Sequence, residues 1–120
     1  MYIDREVRNM DSNEYIVPED AIKRVGGNKA LYIKLLGRFA DGNNIDDIAQ
    51  TILSGDLEEA SKKIHALKGV AANLSLDKLR ADCIAIEAAI KDGGDYHGLL
   101  DEFKFTYNTT LEKIAEFSKT

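Results

Sequence analysis

Along residues 57–74 the apolar positions Leu57, Ala60, Ile64, Leu67, Ala71 and Leu74 recur at a 3-4-3-4-3 spacing. That is the seam with which a bundle helix faces its neighbours. At about 100° per residue, His65 points roughly 130° away from the seam, toward solvent. On its side of the helix stand Glu58, Ser61, Lys62, Lys68, Gly69 and Ala72. Lysines lie three residues before and three after the imidazole, and a glycine lies one turn further along the same face.

These residue types suit nucleophilic chemistry on a charged group. An imidazole is a good nucleophile near neutral pH. A phosphoryl group placed on a ring nitrogen brings negative charge, which Lys68 and Lys62 neutralise at short range. Phosphoryl transfer depends mainly on alignment and charge stabilisation, so an open face suffices if a partner brings the metal ion and the rest of the pocket. Each residue also has a plainer explanation, since exposed histidines and lysines are usually only solvated. Gly69 resists that explanation, because a mid-helix glycine costs about 0.5–1 kcal/mol relative to alanine. A bare backbone beside the ring clears space for an incoming protein, and Ala72 extends the clearing.

The elements that carry this face read as helices throughout. Val17-Pro18-Glu19-Asp20 starts a short helix, with proline in the first turn and acids at the positive end of the dipole. Gly26-Gly27 stops it, and Asn28 caps the next helix, whose apolar stripe is Leu31, Tyr32, Leu35, Leu36 and Phe39. Gly42-Asn43-Asn44 interrupts or bends that helix, and Ile45, Ile48, Ile52 and Leu53 continue the pattern. After the His65 helix, Asn73 to Ser75 form a turn. A second seam follows at Leu76, Leu79, Cys83, Ile86 and Ile90, closed by Gly93-Gly94. The last helix starts near Asp95, a good cap, and buries Leu100, Phe103, Tyr107, Leu111, Ile114 and Phe117. Short connections make sequential helices antiparallel neighbours. The expected fold is all-α: an antiparallel up-down four-helix bundle with a short additional N-terminal helix. Residues 1–16 read as an arm or linker remnant, and 17–120 as the folded domain.

Composition narrows the function classes. Hydrophobic residues make up 44% of the 120 and the net charge is −5. A core is affordable, and a nucleic-acid partner is disfavoured for want of a basic surplus. The single cysteine, Cys83, forms no internal disulfide, which fits a reducing compartment. No apolar run approaches the ~20 residues that cross a bilayer, and residues 1–13 lack an apolar signal core. The expectation is a cytoplasmic monomer with no membrane partner. His65, Cys83 and His97 lack ligand-like spacing, so no metal site and no intrinsic cofactor are expected. His97 reads as a surface residue.

The run Ile64-His65-Ala66-Leu67-Lys68-Gly69-Val70-Ala71-Ala72 resembles the signature of histidine phosphotransfer domains: a histidine, any residue, an apolar residue, Lys-Gly, then small residues. Gly55-Asp56-Leu57 before it, the amphipathic helix after it, and Val25-Gly26-Gly27-Asn28 leading into Leu31-Tyr32 and Phe39 extend the likeness to about residues 17–117. The resemblance implies that His65 accepts the phosphoryl group, that Lys68 assists with charge and that Gly69 clears space. It implies relay between aspartates of response-regulator receiver domains, with a hybrid sensor histidine kinase as a further candidate partner and Mg²⁺ belonging to the receiver. It also places the next helix beside the histidine, so that Glu87 and Lys91 join Ser61, Lys62 and Ala72 as candidate partner contacts. The plainer reading of Glu87, an i,i+4 surface ion pair with Lys91, is favoured. Many relatives have glycine where this chain has Ser75, and a serine there could cap the following helix.

Three rivals remain. The phospho-acceptor domain of a sensor kinase usually follows its histidine with an acidic or amide residue, often with a proline soon after. Here Ala66 follows, no proline occurs after Pro18, and no ATP-binding portion is present, so autokinase activity is not expected. The phosphotransfer module of a chemotaxis-type kinase shares the motif and stays open. A non-catalytic adaptor that binds response regulators would have little reason to retain His65, Lys68 and Gly69 together.

Overall fold

The computed structural model describes residues 15–42 and 45–119, and every regular element among them is helical. There are six helices: α1 Pro18–Arg24, α2 Lys29–Gly42, α3 Ile45–Leu53, α4 Leu57–Leu74, α5 Asp77–Asp92 and α6 His97–Ser118. Of the N-terminal arm, residues 1–14 lie outside the described residues, and Ile16 is already buried in the core.

The expected start and stop signals operate with one exception. Pro18 opens α1 with Glu19 and Asp20 in its first turn. The Asn28 Oδ1 accepts the Leu31 amide at 3.0 Å, and the Asp56 Oδ1 accepts the Glu59 amide at 3.2 Å, each satisfying an orphan donor at a helix start. Gly93 ends α5 in the left-handed region, φ 72°. The exception is Asp95. The cap position of α6 falls to Tyr96, while the Asp95 carboxylate takes the His97 amide and the His97 Nδ1, each at 3.0 Å.

Both predicted seams are buried. Ala60, Ile64, Leu67, Ala71 and Leu74 of α4 meet Leu76, Leu79, Cys83, Ile86 and Ile90 around α5, and Leu57 is half-buried. α5 in turn packs on α6, whose Leu100, Phe103, Tyr107 and Ile114 are buried. Leu111 and Phe117 lie partly buried at the edge. α2 packs on α4 and α6, and α3 on α4 and α6, so α4 is held from several sides. Fully burying one such Leu, Ile or Phe contributes about 1.5–3 kcal/mol.

Leu31 departs from its predicted stripe and is exposed. The cause is the orientation of α2, set by Tyr32: its ring is buried and its hydroxyl donates to the Leu74 carbonyl at 2.7 Å. Leu31 is adjacent on the helix and so turns outward.

The α4–α5 turn shows how Ser75 replaces a glycine. Ser75 is buried and left-handed, φ 56°, ψ 43°, a conformation that costs a non-glycine residue about 1–2 kcal/mol. It does not cap α5, whose cap position is Leu76 without a side-chain bond. Its Oγ instead accepts from Arg24 Nη1 at 3.0 Å, and the same nitrogen donates to the Asn73 carbonyl at 2.8 Å and the Ala72 carbonyl at 3.2 Å. The Val17 amide donates to the Ser75 carbonyl at 2.9 Å. A guanidinium at the negative end of α4 satisfies carbonyls left over at the helix terminus.

Candidate functional site

His65 projects from the middle of α4 with 72% of its side chain exposed. Ile64, just before it, and Leu67, two residues after it, are buried, so the backbone under the ring is fixed by the core. One turn on, Gly69 is exposed, and a Cβ built there would meet nothing within 4 Å. Nothing among the described residues therefore requires glycine at that position. Close packing against another described helix does not account for the glycine.

Across the groove between α4 and α5 stands Glu87. Its Oε2 lies 3.3 Å from His65 Nδ1, and its Oε1 accepts from Lys68 Nζ at 2.7 Å. This overturns the favoured reading of Glu87 as a surface pair along its own helix with Lys91. The carboxylate reaches between helices and joins the two residues with the strongest chemical claim. The signal was available in the register. His65 stands ten residues before Ser75 and Glu87 eleven after Leu76, so the two come level if α4 and α5 run side by side from that turn. Residues equally distant from a tight connection face one another.

The charges order the site. The Lys68 ammonium, hydrogen-bonded to Glu87, holds that carboxyl below the usual carboxylate range, and His65 adds to the effect. Glu87 is thus ionised at neutral pH and can only accept hydrogen bonds. Nδ1 is the ring nitrogen that faces this carboxylate, and it can donate to it when it carries a proton. Lys68, with 27% of its side chain exposed, is held close to the ring by the same carboxylate.

The remaining candidates divide by location. Ser61 and Ala72 are half-buried, while Lys62 and Lys91 are exposed and stay outside the hydrogen-bonded set. Lys63, next to Lys62, is committed elsewhere: it bonds Asp47 at 2.8 Å and Thr51 Oγ1 at 2.9 Å on α3. The phase of α4 alone thus decides which lysine serves the exposed face and which one fastens the flank. Cys83 is fully buried, and burial pushes its thiol up to about 12, which leaves it unreactive. No group of three metal-ligating side chains exists among the described residues, and none of their helices is long and apolar enough to cross a membrane.

Comparison with curated proteins and with solved structures finds no significant match. The family model of the Hpt domain matches residues 42–116, well over half of the chain. That span runs from the end of α2 through most of α6 and includes His65, Lys68, Gly69 and Glu87. The exposed histidine, the lysine and glycine behind it and the matching helices agree, and the chain belongs to the Hpt domain family.

Proposed function

We propose that this protein is a phosphorelay intermediate, taking a phosphoryl group on His65 from a receiver-domain aspartyl phosphate and passing it to a second receiver aspartate. Hpt domains act in the phosphotransfer of two-component signalling and interact with receiver domains. The observation that carries the finer reading is the exposed His65 side chain, with Nδ1 engaged by Glu87 and open space over Gly69. A receiver docks its aspartyl phosphate over Ser61, Lys62, His65, Lys68, Gly69 and Ala72, with Lys91 at the rim. Nε2 attacks phosphorus in line, the P–O bond breaks, and its electron pair leaves on the aspartate carboxylate. Lys68 offsets charge on the phosphoryl oxygens. The receiver supplies Mg²⁺, and the chain needs no cofactor of its own.

The supporting scaffold is inferred as an antiparallel four-helix bundle in which α2 with α3, then α4, α5 and α6, make the four arms and α1 lies across the end. Connections of two to four residues between α3, α4, α5 and α6 favour it. A cytoplasmic monomer fits the single buried thiol and the acidic balance.

The test is transfer from a phosphorylated receiver. Wild type should acquire acid-labile, base-stable label, and His65→Gln should acquire none while keeping its helical circular dichroism. Equal labelling of His65→Gln removes the assignment.

A further inference from the structure

Helix α5 shows solvent a large apolar side chain where its neighbours are charged. Ile84 is 43% exposed, while Leu79, Cys83, Ile86 and Ile90 carry the buried seam of the same helix. By helical phase, Ile84 lies about 60° round the helix from Glu87, further from that seam. Arg80, four residues before it, and Lys91, seven after it, share its stripe, and both are exposed. Glu87 reaches Lys68 and His65 on α4, so the stripe borders the groove that holds the imidazole. The pairing across the α4–α5 turn that brings Glu87 level with His65 brings Ile84, three residues nearer the turn, level with Lys68 and Gly69.

A single exposed isoleucine is ordinary on a protein surface. The position sets this one apart. Gly69 offers bare backbone with nothing within 4 Å of where a Cβ would stand, and half-buried Ala72 lies three residues further along α4. Ile84 is thus an apolar lip on the α5 side of a clearing that α4 leaves open, with a cation on either side of it along α5. A protein lowered onto His65 covers that clearing and closes over the lip. Resting on the phosphoryl-carrier reading, we propose that Ile84 is a specificity-determining residue of the receiver contact. It takes an apolar side chain of the receiver, flanked by carboxylates that meet Arg80 and Lys91, and it disfavours receivers that bring a charged side chain to that point.

Both halves of that discrimination follow from burial. An apolar side chain laid on Ile84 takes apolar surface of both partners out of water. A charged side chain in the same place loses hydration and finds no opposite charge on the isoleucine. The flanking cations favour an acidic approach and repel a basic one. Ile84 has no polar atom with which to hold a proton or a phosphoryl oxygen, so its effect falls on docking and not on the chemical step. The other exposed large apolar residues stand elsewhere. Leu31, Leu53 and Phe105 are on α2, α3 and α6, and Val70 turns to the α3 flank of α4, where it lines a groove with Ile48 and Lys63.

The experiment compares a small donor with a protein donor. Wild type, Ile84→Ala, Ile84→Leu and Ile84→Glu are loaded first with phosphoramidate, whose P–N bond breaks with release of ammonia. They are then loaded by a panel of phosphorylated receiver domains at rising concentration, and circular dichroism and urea unfolding check the fold. Phosphoramidate covers no protein surface and should load all four alike. With the receiver that serves wild type best, the concentration at half-maximal rate should rise roughly tenfold in Ile84→Ala and further in Ile84→Glu. The rate at saturation should hold, and Ile84→Leu should stay close to wild type. Ile84→Glu should also change the order in which the panel is preferred. Equal half-maximal concentrations in wild type and Ile84→Glu, a uniform loss over the whole panel, or a matching loss in phosphoramidate loading would each overturn the proposal. Loading by phosphoramidate with none from any receiver would overturn it while leaving His65 an acceptor. If neither donor loads wild type, the carrier reading itself falls, and this one with it.

Discussion

Helix α5 carries two acids five residues apart that meet opposite fates. Glu87 faces α4, where the Lys68 ammonium beside it pulls its carboxyl below the usual range. Asp82 faces the α6 side. There burial raises its carboxyl above the usual range, and its Oδ2 is buried with no hydrogen-bond partner among the described residues. Cys83 and Thr106 beside it are buried, and the Tyr107 hydroxyl on α6 is pushed up to about 12 by burial and has no partner among the described residues. The α5–α6 seam is thus polar in places but closed, whereas the α4–α5 face is ionic and open. A carboxylate becomes useful where a cation keeps it charged and solvent lets a partner in. At Asp82 burial outweighs the relief that Thr106 and Lys78 give, so its charge is costly.

The comparison breaks if damage to the closed seam and damage to the open face look alike. Phe103 is fully buried on α6, so Phe103→Ala should lower stability by about 3–5 kcal/mol in denaturant unfolding. The folded fraction should still accept label on His65. Lys68→Ala should do the reverse. Transfer from a phosphorylated receiver should slow by roughly 10- to 100-fold, on the scale of losing one preorganised charge-stabilising donor. The stability cost should stay under about 1 kcal/mol, since partly exposed ion pairs contribute little. A Lys68→Ala protein that transfers normally would make this lysine a solubilising residue.

Gly69 sharpens the contrast, because it is the one position on the open face where the chain's own interest and the proposed partner's interest oppose. A side chain there meets nothing of the same molecule, and leucine is the better helix former, so Gly69→Leu should raise stability by up to about 1 kcal/mol. The same substitution puts a branched side chain beside the imidazole and should weaken receiver association by about tenfold, or about 1.4 kcal/mol. Isothermal titration against a receiver, run beside thermal unfolding, separates the two. A destabilised variant with normal receiver affinity would restore a packing role for the glycine.

Much of this was legible in the chain itself, for identifiable reasons. The exposure of His65 follows from phase alone, because five of the six seam residues of α4 are buried and Leu57 is half-buried. Gly69 was legible as an exception to helix propensity. Glu87 was harder, since its partner is set by how α4 and α5 line up across the turn, and a single helix shows only i,i+4 neighbours. Leu31 was misplaced because an apolar stripe on α2 is wide enough to roll, and the roll is settled by a long-range bond from Tyr32 to Leu74. Ser75 marked a departure from the family pattern, yet nothing local announced that Arg24, about fifty residues away in sequence, would close the end of α4.

The two acids also make the smallest and most diagnostic forecast. A carboxyl raised by folding stabilises the protein below its unfolded pKa, and that contribution is lost as pH rises through the folded value. A carboxyl depressed by folding stabilises above its unfolded pKa, and that contribution is lost as pH falls through the folded value. Asp82 is the first kind and Glu87 the second. Replacing Asp82 by asparagine removes a poorly solvated charge at pH 7 but replaces one neutral group by another in acid. Urea unfolding should therefore find Asp82→Asn more stable than wild type by up to about 1 kcal/mol at pH 7, with the gain fading toward pH 4. Glu87→Gln should show the opposite sign at pH 7, a small loss that likewise vanishes in acid. If both substitutions shift stability in the same direction at pH 7, the two sides of α5 do not differ in how they treat charge, and the case for Glu87 as a residue retained for its ionised form loses its footing.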